Sequence, residues 1–170
     1  DYYNRHSRPI TDRLTLLAER HSPIILAAAG LLSPFWPVMA RLGCWLTGTV
    51  DLPRKLAARP APGLLLTQED IEAGNLRKGT VILVQDWFTA LFDGDVLFDF
   101  VAGLRALGYT PRLLAMCPAG KAAQSLGDRQ GFAAMGATLV NLLQKAALSG
   151  APIIGLDPAF VMMLRQDYPA

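Results

Sequence analysis

Thiols and imidazoles are scarce in this chain. Cys44 and Cys117 are its only cysteines and His6 and His21 its only histidines, among 170 residues. Two cysteines are too few for a disulfide scaffold or a cysteine-only metal site. Two histidines in the N-terminal part, far from any acidic cluster, give no support to a His-based triad or zinc site. Charge is thin as well. Only 18% of residues are charged, and 16 Lys+Arg against 14 Asp+Glu leave a formal net charge of +2. Nucleic-acid binding relies on clustered cations, so that balance removes its electrostatic case. A long apolar run is also missing. Pro23–Val50 is dominated by Ile, Leu, Ala, Trp and Met, but Ser33-Pro34, Pro37 and Arg41 interrupt it, and a spanning helix needs about 20 apolar residues. No transmembrane span is expected; these residues read as a buried or docked helical hairpin. The polar opening Asp1–Arg8 has no signal-peptide pattern, and the chain starts without Met, so we expect a piece of a longer protein. The expected location is the cytoplasm, at most peripheral to the inner membrane.

What the chain does have is apolar sequence, 52% of residues, which argues against disorder. Three parts emerge. Residues 1–50 read as a helical extension, with Ile10, Leu14, Leu17 and Ala18 on one face at helical spacing. Residues 51–79 read as a linker carrying Pro53, Pro60 and Pro62 without periodicity. From Thr80 to Ala170 strands and helices alternate. Thr80–Val84 is a continuous β-branched and leucine run, the mark of a strand buried on both faces. Asp93-Gly94-Asp95 opens a helix with Leu97, Phe100, Val101 and Leu104 on one face, ended by Gly108. Thr110–Met116 gives a second strand, 128–148 a long helix and Ala151–Leu156 a third strand. Pro158 opens a last helix at the position where its missing N–H costs nothing. Right-handed crossovers then place the Thr80 strand between the other two. The expectation is an α/β fold: a small three-stranded parallel sheet of order 2-1-3, helices on both faces and an N-terminal helical extension.

Ligands gather at the carboxyl ends of parallel strands, at the point where the strand order reverses. Asp86, Trp87, Thr89, Cys117, Lys121 and Asp157 fall on that edge and form the candidate crevice. Each has a plainer role beside it. Asp157 before Pro158 suits a helix N-cap, Trp87 with Phe88 and Phe92 suits an interface or core, and Cys117 suits a small buried hydrophobe. Familiar motifs fail. Gly120-Lys121 lacks the upstream Gly and the following Ser or Thr of a phosphate loop. Gly131 and Gly136 lie inside a helix rather than in its entry turn, and Ser125 has no nucleophile elbow. No catalytic residue is assigned, and no metal site.

Several segments nevertheless fit a known pattern. Val84-Gln85-Asp86-Trp87 ends one strand, Leu107-Gly108-Tyr109 closes a helix, Cys117-Pro118 ends the next strand, and Asn141-Leu142-Leu143 lies in the long helix before Asp157-Pro158. This layout resembles the cysteine-rich CCG domain found in heterodisulfide reductases and in the small subunit of anaerobic glycerol-3-phosphate dehydrogenases. Gln85-Asp86-Trp87-Phe88-Thr89, Pro118-Ala119-Gly120-Lys121 and the lead-in Leu46–Pro53 are similar to the C-terminal region of long FAD-linked, iron–sulfur oxidoreductases of the D-lactate and D-2-hydroxyglutarate dehydrogenase type. That resemblance implies FAD and iron–sulfur clusters in the parent protein, with an electron-acceptor protein or quinone and the remaining domains of the parent as partners. The departures are specific. Cluster-binding members carry cysteines at the strand ends; here Trp87, Asp157 and Phe160 stand there and Cys117 alone remains. One thiolate cannot hold a cluster that takes about four, so no cofactor is expected in this piece itself.

Two functions follow. One is a degenerate CCG domain of an oxidoreductase acting on a D-2-hydroxy acid, structural itself or lining an acceptor or substrate entrance. The other is a non-catalytic α/β module for protein interaction, or for a small anion held by Lys121.

Overall fold

In the computed structural model, which describes residues 7–47, 56–57, 60–72 and 76–168, three helices open the chain: α1 (Ile10–Arg20), α2 (Ser22–Leu32) and α3 (Trp36–Thr47). Pro23 sits in the first turn of α2, where the backbone N–H it lacks has no intrahelical partner. Ser33 to Phe35 turn the chain into α3. None of the described helices is long and apolar enough to cross a membrane.

The sheet is parallel, as expected, but among the described residues it has four strands rather than three. β1 (Leu65–Leu66), β2 (Thr80–Val84), β3 (Thr110–Leu114) and β4 (Ile153–Gly155) lie in the order β1-β3-β2-β4. The three strands read from the sequence keep their relation, β2 between β3 and β4. The additional strand pairs Leu65 with Leu113 and Leu66 with Leu114. Two residues display no periodicity, so a strand this short cannot be read from an apolar pattern. Arg112 of β3 helps to fix it, donating from Nη2 to the Leu65 carbonyl at 2.8 Å. β3 and β4 are also shorter than the apolar runs that mark them, because pairing partners run out at Leu66 and Val84.

Between strands run α4 (Gln68–Glu72), α5 (Trp87–Phe92), α6 (Gly94–Ala106), α7 (Lys121–Ser125) and α8 (Arg129–Ala147), with α9 (Pro158–Gln166) last. All five β2 residues are buried, and their alternation serves two layers. Val81 and Leu83 pack with Leu97 and Val101 of α6. Ile82 and Val84 pack with Leu139 and Ala146 of α8 and Phe160 and Met163 of α9. The β2–β3 and β3–β4 crossovers thus lie on opposite faces, as right-handed connections that leave in opposite directions must.

The N-terminal helices dock on this unit. α1 meets α7 and α2 meets α5, and the Trp36 ring lies 5.7 Å from that of Phe92. The apolar content of this region predicts that its large side chains pack on the α/β unit, on a second copy or on a further domain; on the α/β unit only some of them do. Trp36, Ile25 and Leu26 are half-buried, whereas Ile24, Leu31 and Trp45 are 67%, 78% and 79% exposed. Helix α2 is apolar all round, so docking one side leaves the other bare.

Candidate functional site: a cleft at the carboxyl edge of the sheet

A cavity of ≈ 430 Å³ opens where β2 and β4 end, lined by Asp86, Trp87, Thr89, Lys121 and Asp157. Two of these are helix caps. Asp86 follows β2 and is buried; its Oδ1 accepts from the Thr89 N–H at 3.2 Å and its Oδ2 from the Phe88 N–H at 3.3 Å. Asp157 follows β4, and its Oδ1 accepts from the Ala159 N–H at 2.9 Å, the cap that the Asp-Pro pair predicts. Lys121, the first residue of α7, reaches across the end of β2. Its Nζ donates to Asp157 Oδ2 and stands 4.0 Å from Asp86 Oδ2. One ammonium therefore ties two capping carboxylates together, and the group carries a formal charge of −1. Burial pulls the Asp157 carboxyl up, but Lys121 and the N–H groups of Ala159 and Phe160 outweigh it and hold that carboxyl below its usual range.

Lys121 is placed by residues that nothing in the sequence marks. Helix α7 has five residues, and its N-cap, Gly120, sits at φ 77° with no side chain to offer. The missing acceptor comes from α1. Glu19 Oε2 accepts from the N–H groups of Ala122 at 3.0 Å and Ala123 at 3.2 Å. At the other end of α7, Arg8 Nη1 donates to the Leu126 carbonyl at 3.0 Å. An anion at the N-terminus and a cation at the C-terminus match the helix dipole. Glu19 has no solvent exposure and its Oε1 has no partner. Burial pushes its carboxyl up, and the α7 N–H groups only partly offset that.

Trp87 meets Phe88 edge-on at 5.8 Å and Phe92 at 6.5 Å. With Trp36 these rings join α3 to α5, so the aromatic cluster is chiefly packing, and only one wall of it faces the cleft. Cys117 does not join the group. It is half-buried against the core cluster that holds Leu139 and Phe160, and burial pushes its thiol up, which disfavours the reactive thiolate. Five of the six crevice residues come together and the cysteine stands apart. Ser125 donates its hydroxyl to the Lys121 carbonyl at 2.9 Å, a helix contact rather than a nucleophile's.

Chemically the cleft offers acceptors more than donors. Lys121 is already shared by two carboxylates, so the small-anion role considered for it loses its basis. A ligand that donates hydrogen bonds, such as a hydroxyl or an amide, suits Asp86 and Asp157 better. Replacing Asp157 by Ala removes a cap and half of Lys121's pairing, and is expected to cost about 1 kcal/mol in urea unfolding at neutral pH. The depressed carboxyl gives the sign of the pH effect. Its contribution is present above the ordinary Asp pKa and is lost as pH falls through the folded value. In a longer active protein, a large activity loss at unchanged stability would instead put Asp157 in the reaction.

No protein-family model and no solved structure matches this chain. It is, however, similar along 98% of its length to curated D-2-hydroxyglutarate dehydrogenases. Identity is 32% over 177 residues with that of Pantoea ananatis, 30% over 177 with that of Escherichia coli K12, and 29% over 179 with that of Haemophilus influenzae. The chain spans 17% of the length of each of these relatives. The resemblance to the D-2-hydroxyglutarate dehydrogenase type, carried by the strand ends around Asp86 and Asp157, is thereby borne out for one segment of such proteins.

Proposed function

We propose that the chain is a degenerate CCG domain of an FAD-dependent, iron–sulfur-containing oxidoreductase that oxidises D-2-hydroxyglutarate or D-lactate. The observation that carries this reading is the similarity along 98% of the chain to D-2-hydroxyglutarate dehydrogenases. The domain's own share is structural, with the Asp86–Lys121–Asp157 cleft lining an acceptor or substrate entrance. Its partners are the remaining domains of the longer polypeptide, which would cover apolar positions such as Leu31 and Trp45, and an electron-acceptor protein or quinone. Two free cysteines agree with a reducing cytoplasm.

The cofactors implied for the longer protein do not fit this chain's residues. Cys44 lies in α3 and Cys117 beyond β3, and two thiolates fall short of the four that a cluster takes. Among the described residues no group of three or more His, Cys, Asp or Glu is placed to hold a metal ion. Gly131 and Gly136 lie within α8, not in an entry turn where a dinucleotide's pyrophosphate would sit. No step of the reaction is assigned to these residues.

Two measurements test the reading. A full-length polypeptide containing this sequence should show flavin and iron absorbance and reduce an artificial acceptor with D-2-hydroxyglutarate or D-lactate; absence of all of these ends the proposal. The 170-residue chain alone, reconstituted anaerobically with iron and sulfide, should stay colourless. Stoichiometric iron with charge-transfer absorbance would show that a cluster site survives here.

A further inference from the structure

The opposite edge of the sheet holds a second cavity, of ≈ 500 Å³, between the amino ends of β2 and β3. Among the described residues its charged lining is mainly cationic: Arg77, Arg105 and Arg112, with Tyr109, Thr80 and Thr110 beside them and Asp70 as the one acid. Arg112 is occupied. Its Nη2 bonds Asp70 Oδ2 at 2.6 Å and the Leu65 carbonyl, and Asp70 stays ionised because the Thr67 N–H and hydroxyl and Arg112 all favour its charged form. That pair is neutral as a unit, yet Arg112 Nε is buried without a partner. Arg77 and Arg105 form no ion pair with any described residue. Arg105 lies in the last turn of α6, where a cation suits the helix dipole, but that role leaves its guanidinium without an acceptor among the described residues. Arg77 lies outside any helix or strand. Among the described residues the cavity thus holds two unneutralised guanidinium groups and a formal charge of +2, in a space within the range of small-ligand sites.

We propose that this cavity binds a small doubly charged oxyanion, a phosphate or a dicarboxylate, between Arg77 and Arg105. Two positive charges match a dianion, and planar guanidinium forks bind such oxygens bidentately. Tyr109 and Thr80 add neutral polar residues to the lining. The cleft at the carboxyl edge has the reverse character, an ammonium consumed by two carboxylates, so an anion is drawn to the amino edge. The proposal does not depend on the oxidoreductase reading.

The test is calorimetric titration of the 170-residue chain at low ionic strength in phosphate-free buffer, with inorganic phosphate in one arm and glutarate in the other. Saturable binding is expected in at least one arm, weaker at high salt, and weakened at least about tenfold by the double substitution R77A/R105A. Both arginines are exposed, so the variant should keep its melting temperature, and R129A on α8 serves as a charge control that leaves binding unchanged. Binding of phosphate alone identifies a phosphoryl group as the source, and binding of glutarate alone a carboxylate. No saturable heat in either arm, or equal affinity in R77A/R105A, overturns the proposal.

Discussion

Glu19→Ala is expected to destabilise the protein by about 3 kcal/mol at neutral pH in chemical denaturation, and Glu19→Gln by about half as much. The alanine leaves the N–H groups of Ala122 and Ala123 without their acceptor, and stranding a buried donor costs about 1–3 kcal/mol each. Glutamine keeps a carbonyl oxygen for those donors. Its amide nitrogen takes the place of Oε1, where no acceptor meets it, so part of the loss remains. The two variants also differ from the wild type in pH dependence. Burial raises the Glu19 carboxyl above its ordinary value, so the folded protein binds a proton that the unfolded chain releases. Stability from this group is fully present below the ordinary Glu pKa and is lost as pH rises through the folded value. Between those two points the Gln variant should show a flatter profile than the wild type. An equal loss for Ala and Gln, or a wild-type profile that rises there while that of Gln does not, would remove Glu19 from its role as the α7 cap.

Gly120→Ala should cost about as much, for a different reason. The backbone there is left-handed at φ 77°, a conformation that costs a non-glycine residue about 1–2 kcal/mol. A methyl group would also stand 2.9 Å from Phe132 Cδ2 and 3.1 Å from Phe132 Cα. The ring could swing, but the α8 backbone cannot yield without disturbing Leu139 and the core beneath it, and overpacking adds about 1–3 kcal/mol. The expected total is about 3 kcal/mol in urea unfolding. Gly108→Ala separates the contributions, since Gly108 has φ 83° with nothing within 4 Å of the added carbon. It should show only the backbone part, about 1 kcal/mol. Equal losses at the two sites would mean that contact with Phe132 contributes nothing.

The parts of this fold that are legible in the sequence are those with enough residues to show a period. Thr80–Val84 declares itself as a five-residue apolar run, and α8 as an apolar face repeated over 19 residues. β1 and α5 escape because two residues and six residues carry no comparable signal. The Asp157 cap is visible because Pro158 follows it. Asp86 does the same work before Trp87 without such a marker. Glu19 carries no local signal at all, since it acts on backbone groups about a hundred positions away. Cys117 follows a strand, which alone suggests the crevice; the chain beyond β3 instead leaves it half-buried against the core. Lys121 is legible as a crevice residue but its commitment is not, because a charge pair across two strand ends exists only after the sheet has formed.

The lengths of the four strands have a consequence for how copies of this chain meet. The two inner strands have five residues each, the outer ones two and three. Open edges invite another chain to add a strand, and very short edges leave too few free amides for such pairing to last. Fibril-like growth along the sheet is therefore disfavoured at the described edges. Association at high concentration is then expected to run through side chains, on the bare sides of α2 and α3. Solubility of the isolated chain should accordingly rise with a charge at Leu31 or Trp45 and stay indifferent to a proline at Ile153, with light scattering as the readout.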